Sequence, residues 1–105
     1  MSGATVLASA TVADSFRTRL QGLIGRTGIE GAFVIESTRW IHTFGMRFAL
    51  DVAYIGADGT VLRIDRLAAN RMGRPERHAV MVVEAQAGAF ERWGLQVGQP
   101  VELRQ

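Results

Sequence analysis

The apolar residues near the start of the chain change from a strand-like to a helix-like spacing. Residues 5–12 are rich in Thr, Val, Leu and Ala, a composition typical of a β-strand. Asp14 or Ser15 can cap the segment that follows. Its apolar residues fall on one helical face: Phe16, Leu20, Leu23 and Ile24. The pattern predicts an opening strand and then an amphipathic helix of about ten residues that ends near Gly25.

The rest of the chain alternates short apolar runs with turn signals, which predicts further strands. These runs are residues 32–35, 40–42, 50–55, 61–67, 79–83 and 101–103. The Asp58-Gly59 pair between two of them predicts a β-hairpin. The run 79–83 is apolar throughout, so we expect it in the centre of a sheet. Residues 87–93 are followed by Gly94 and predict a short second helix.

This order of elements predicts an α+β fold in which residues 1–105 form a single domain. We expect a mainly antiparallel or mixed sheet of about six to seven strands, strongly bent or closed into a partial barrel and covered by two short helices. A chain of 105 residues is long enough to bury one hydrophobic core.

The charged residues argue against a nucleic-acid partner. All 12 basic residues are Arg and ten acidic residues oppose them, which leaves a net charge of only +2. The sequence pI of 10.4 follows from the absence of Lys and the presence of one Tyr. Residues 63–77 contain five Arg and two acidic residues, but no aromatic residue for base stacking. We therefore expect a solvated loop and no nucleic acid.

Other absences narrow the function classes further. The chain has no Cys, which excludes disulfides and thiolate metal sites. Its two His and scattered acidic residues lack metal-ligand spacing, so we predict no metal and no cofactor. No apolar run approaches the length of a membrane span and no signal-peptide pattern is present, so we expect a soluble, cytoplasmic protein. We expect it to be a monomer or a small homo-oligomer.

Five ordered motifs resemble those of the domain-of-unknown-function 192 family, and together they cover nearly the whole chain. They are FRTRLQGL from residue 16, IHTFGMRFALDV from residue 41, DGTV from residue 58, EAQAG from residue 84 and GLQVG from residue 94. The resemblance implies a small domain of β-strands with two short helices. It implies no established activity.

His42 is the histidine inside the central motif, and it alternates with Trp40 and Phe44 along the predicted strand. One face of that strand is therefore aromatic. His42 is either a partly buried imidazole that the backbone satisfies, or a group that contacts a ligand or acts as a general acid or base. Thr43 would point to the opposite face of a regular strand, so we do not expect it to pair with His42.

Asp51 interrupts an apolar run, where an unpaired buried carboxylate would cost several kcal/mol. It must therefore have a partner. The candidates are the backbone amides of residues 46–49 or an arginine such as Arg47 or Arg19. Asp51 is either a structural tie that fixes this loop or a direct ligand contact.

Arg19 and Arg26 lie seven positions apart, which places them on nearly the same side of a continuous helix. Together they could bind an anion. The alternative is that they belong to an ordinary solvated helix face.

These features favour a small binding or interaction domain. We expect a pocket near His42, Met46, Arg47 and Asp51 that holds a small polar or anionic ligand or a segment of a protein partner, with Met46 leaning toward the surface. The candidate binding residues are Arg19, Arg26, His42, Thr43, Met46, Arg47 and Asp51. One alternative is a small enzyme in which His42 is the acid or base and Asp51 orients it. Another is an assembly component that docks through an exposed sheet edge or helix face.

Overall fold

The computed structural model describes residues 5–7, 11–13, 28 and 31–103 of the chain. These residues contain seven strands and one helix. The strands are β1 (Thr5–Leu7), β2 (Thr11–Ala13), β3 (Phe33–Glu36), β4 (Leu50–Gly56), β5 (Val61–Leu67), β6 (Ala79–Gln86) and β7 (Val101–Leu103). The helix, α1, spans Ala89–Trp93.

Five of the strands form the main sheet, in the order β2-β3-β6-β4-β5. Strand β2 is parallel to β3, and the other neighbours are antiparallel. Strands β1 and β7 pair in parallel as a separate sheet. Strand β6 occupies the middle of the main sheet, which confirms the central position predicted for residues 79–83.

The turn between β4 and β5 confirms the predicted hairpin. The Gly56 amide donates to the Thr60 carbonyl at 2.9 Å, and the Thr60 amide donates to Oδ1 of Asp58 at 3.0 Å. Gly59 has a φ of +83°, a left-handed conformation that glycine adopts without steric cost. The Asp58-Gly59 pair is therefore the local cause of this turn.

The predicted architecture is wrong. The described residues are mostly sheet, with four antiparallel strands (β3, β6, β4 and β5) and a single short helix. They do not form one bent sheet or partial barrel of six to seven strands covered by two helices. The described residues of the predicted opening strand belong to two strands, β1 and β2, that pair in different sheets, because pairing depends on distant partners that local composition does not specify. Residues 40–42 form no strand, and the β-pairing found there is an isolated antiparallel bridge between His42 and Met72. The helix predicted over residues 15–24 lies outside the described residues.

The main sheet has a hydrophobic core on each face, and β4 contributes to both. Leu50, Val52 and Tyr54 pack with one cluster, which also contains Ile41 and Met46. The alternate positions of β4 pack with a second cluster, formed by Ala53 and Ile55 together with Phe90 of α1 and Leu95. Because every residue of β4 is buried, residues 50–55 are apolar almost without interruption. Within the described ranges, no helix has the length and apolar character needed to cross a membrane.

Candidate functional site

Three rings form a row along residues 40–44. The centroids of Trp40 and His42 lie 6.0 Å apart in an edge arrangement, and those of His42 and Phe44 lie 4.8 Å apart in a stack. The indole Nε1 of Trp40 donates to the carbonyl oxygen of Gly73 at 2.8 Å. The predicted aromatic row is therefore present, although its backbone does not form a regular strand.

The imidazole of His42 is held by the residue that stacks on it. The Phe44 amide donates to Nδ1 of His42 at 3.2 Å, a contact in which this nitrogen is the acceptor. His42 is half-buried, whereas Phe44 is 44% exposed. Met72, which bridges directly to His42, is 60% exposed. We call Trp40, His42, Phe44 and Met72 the aromatic ridge.

Thr43 is fully buried and ties two loops together. Its Oγ1 donates to the Ala68 carbonyl at 2.6 Å and accepts from the Arg71 amide at 2.9 Å. Its backbone amide donates to the Arg71 carbonyl at 2.8 Å, and its carbonyl accepts from the amides of Met46 and Asn70. Thr43 therefore fixes the loop that carries the aromatic ridge and does not point into a pocket.

Met46 and Arg47 are neighbours with opposite exposure. Met46 is 1% exposed and packs in the core with Ile41 and Tyr54, so its expected lean toward the surface is wrong. A thioether suits this position because it is apolar and fills irregular space. Arg47 is exposed, and within the described part of the chain it has no ion-pair partner. Of these two residues, only Arg47 can contact a ligand without rearrangement of the core.

Asp51 has an arginine and backbone amides as partners, the two kinds expected, but among the described residues they are not Arg47 or the amides of residues 46–49. Its Oδ1 accepts from Nε of Arg66 at 3.0 Å. Its Oδ2 accepts from the amides of Gly88 at 2.8 Å and Phe90 at 3.2 Å, at the start of α1. The predicted role as a structural tie fits this geometry, although Asp51 ties β4 to β5 and α1 and not to residues 46–49 or Arg47.

The predicted site residues are thus only partly brought together. His42, Thr43, Met46 and Arg47 belong to one loop beside the core that contains Leu50 and Val52. The Asp51 carboxylate contacts α1, which packs on the opposite face of the main sheet. The list of predicted residues also includes Arg19 and Arg26, which lie outside the described residues.

A separate cleft of about 530 Å³ opens beside Asp51, between β5 and the end of α1. Its lining residues are Asp51, Ile64, Asp65, Arg66, Phe90, Glu91, Gly94, Leu95 and Gln96. The sequence analysis did not predict this cleft or a role for Arg66. The predicted hairpin would have indicated the pair, because Asp51 and Arg66 lie equally far from the Asp58-Gly59 turn and face each other across β4 and β5.

Arg63, in the predicted basic stretch, is occupied by contacts within the protein. Its guanidinium lies 4.3 Å from the centroid of the Tyr54 ring, and its Nε donates to Oδ2 of Asp65 at 3.1 Å. Burial raises the pKa of the Tyr54 phenol, and the neighbouring Arg63 opposes this shift. Among the residues that the structure describes, no group of three or more His, Cys, Asp or Glu could hold a metal ion.

Two solved structures share the fold. One is a protein of unknown function from Novosphingobium aromaticivorans, with a TM-score of 0.74 and 18% identity, covering 87% of this chain and 71% of that one. The other, from Sinorhizobium meliloti and described as a "putative transcription regulator", has a TM-score of 0.72 and 22% identity, covering 87% of this chain and 78% of that one. At these identities the likeness establishes the fold alone.

A comparison with curated proteins gives no match. The sequence model of the DUF192 family, described as "Uncharacterized ACR", matches residues 1–103. This match confirms the resemblance seen in the five motifs, and it brings no specific function with it. The chain belongs to the DUF192 family.

Proposed function

We propose that this domain binds a small polar or anionic ligand on the aromatic ridge. The stacked rings of His42 and Phe44 offer a flat surface for a ligand ring, and the exposed side chains of Arg47 and Arg71 supply positive charge nearby. Arg71 is close because its backbone pairs with Thr43 in the same loop.

The observation that carries this proposal is the stack of His42 on Phe44 at 4.8 Å above a loop that is fixed from below. Buried Thr43 and buried Met46 hold the backbone of that loop. A surface that is already ordered loses little conformational entropy when a ligand binds. An exposed aromatic ring such as that of Phe44 is unusual on a merely structural loop, because burial of the ring would stabilise the fold more.

The alternative of a small enzyme with His42 oriented by Asp51 is not part of this proposal. The donors found on the Asp51 carboxylate are Arg66 and the amides of Gly88 and Phe90. A histidine that acts as a general base needs an orienting group within hydrogen-bond reach. The proposal keeps the cytoplasm as the compartment, an expectation that rests on the sequence.

The proposal is tested with a panel of sugars, nucleotides and small organic acids, followed by calorimetry on the compound that binds best. Phe44→Ala and Arg47→Gln are expected to weaken that compound by about tenfold each, because one removes a stacking surface and the other a charge-assisted contact. Two exposed residues outside the ridge provide matched controls, Val97→Ala and Arg77→Gln. Equal affinity in all four variants would contradict the proposed site.

A further inference from the structure

The cleft between β5 and α1 lies apart from the aromatic ridge and shares no lining residue with it. Its volume of about 530 Å³ lies within the range of small-molecule pockets. It opens on the side of the main sheet that α1 covers, whereas the loop with His42 packs against the other core.

Arg66 is anchored in this cleft by a buried carboxylate. Its Nε donates to Oδ1 of Asp51 at 3.0 Å, and the Asp51 side chain is only 5% exposed. Asp51 is fixed in turn by the amides of Gly88 and Phe90. The Arg66 side chain itself is 59% exposed. The guanidinium is therefore held at one nitrogen while most of the side chain remains accessible.

The two terminal nitrogens of Arg66 are available to a ligand. Among the residues that the structure describes, neither Nη1 nor Nη2 has a hydrogen-bond partner. Together they present a planar pair of donors that matches the two oxygens of a carboxylate. Because the anchored side chain has already lost much of its rotational freedom, a ligand that binds there loses less affinity to ordering.

The walls of the cleft favour a ligand with an apolar body. Ile64, Phe90 and Leu95 line it. Ile64 is half-buried and offers accessible apolar surface, whereas Phe90 and Leu95 are almost fully buried and form a fixed base. Glu91, an exposed residue, also lines the cleft and has no ion-pair partner among the described residues. Its negative charge opposes an anion, so this side chain tunes the affinity downward.

We propose that the cleft binds a small carboxylate with a compact apolar body. The carboxylate takes the Nη groups of Arg66, and the body packs on the accessible part of Ile64, over the base formed by Phe90 and Leu95. An inorganic anion would use Arg66 but not the apolar walls, and a neutral apolar compound would use the walls but not Arg66. Binding that requires both parts is the signature of this site.

Sodium benzoate is a probe that has both a carboxylate and a compact apolar ring, and benzamide is its neutral counterpart. In a titration of the full chain at constant ionic strength, followed by amide NMR shifts, benzoate is expected to give saturable shifts at residues 64–66 and 90–96. Benzamide is expected to bind about tenfold more weakly, because it cannot form a charge-assisted pair with Arg66. Equal responses to the two probes, or no saturable shift in these residues, would overturn the proposal. Shifts confined to residues 40–47 would point to the aromatic ridge instead.

Three variants sharpen the result. Arg66→Gln is expected to weaken benzoate by about tenfold or more, and Glu91→Gln to strengthen it by about twofold because the opposing charge is gone. Arg77→Gln makes the same charge change as Arg66→Gln at an exposed position that does not line the cleft, and should leave the affinity unchanged. Tighter benzoate binding by Glu91→Gln supports the site even if Arg66→Gln is poorly folded. Unchanged or weaker benzoate binding by Glu91→Gln counts against it.

Discussion

The amide of Phe44 donates a hydrogen bond to Nδ1 of His42, and the two rings stack with centroids 4.8 Å apart. One residue thus fixes both the plane and the tautomer of its neighbour. We expect the neutral imidazole of His42 to carry its proton on Nε2, and ¹⁵N chemical shifts of the ring nitrogens measure this directly. A ring that carries its proton on Nδ1 would contradict the hydrogen bond and the surface built on it.

Loss of the Thr43 hydroxyl should lower the free energy of unfolding more than loss of its methyl group. Thr43→Val keeps the shape but leaves the Ala68 carbonyl and the Arg71 amide without this partner in a buried place, which should cost about 1–3 kcal/mol of unfolding free energy. Thr43→Ser keeps the hydroxyl and should cost only about 0.8 kcal/mol for the methyl group. Urea denaturation measures both variants. If Thr43→Val is as stable as the wild type, the hydroxyl does not hold the two loops together.

Asp51 should stabilise the fold through its acceptors as well as its charge. Asp51→Ala leaves the Gly88 and Phe90 amides without their acceptor and is expected to cost about 2–3 kcal/mol. Asp51→Asn keeps one acceptor oxygen for these amides and loses the ion pair with Arg66, so its loss should be smaller. The comparison is made by denaturant unfolding. Equal losses in the two variants would show that the charge alone matters.

Tyr54 should make stability fall at alkaline pH. Burial raises the pKa of its phenol in the folded state, so the folded protein holds this proton more tightly than the unfolded chain does. The resulting stability is fully present below the unfolded pKa of about 10 and is lost as the pH rises through the higher folded value. The chain has one Tyr, no Cys and no Lys, and Arg stays charged at these pH values, so no other side chain titrates in this range.

Denaturation curves between about pH 8 and about pH 11 test this effect, with Tyr54→Phe as the control. The wild type should lose stability over this range, and the variant should change much less. The tyrosinate absorbance of the folded protein gives the phenol pKa independently. A phenol that titrates at or below its ordinary value would contradict the raised pKa.

Local elements of the fold were predictable because their signals are local. The strands Val61–Leu67 and Val101–Leu103 and the hairpin turn at Asp58-Gly59 follow directly from alternation and turn chemistry. The division of the strands between two sheets was not predictable, because β1 pairs with β7 from the far end of the chain. Composition alone carries no record of such distant partners.

The candidate site was predictable in the same uneven way. The alternation of Trp40, His42 and Phe44 correctly predicted a row of rings. The burial of Met46 was not predicted, because its place in the core depends on how the loop folds over β4. The prediction that Asp51 needs a partner was correct. Arg66 was not predicted as that partner, because the contact depends on the register between β4 and β5.

The most direct test of the central claim is an NMR titration of the full chain with the best ligand from the panel. It follows the amides of residues 40–47 together with the ring shifts of His42. If the ligand binds on the aromatic ridge, saturable shifts begin at His42 and Phe44 and include the Arg47 amide, while residues around Val97 do not shift. Binding that leaves the rings of the aromatic ridge and these amides unshifted would contradict it and would leave the motif as a device that builds the fold.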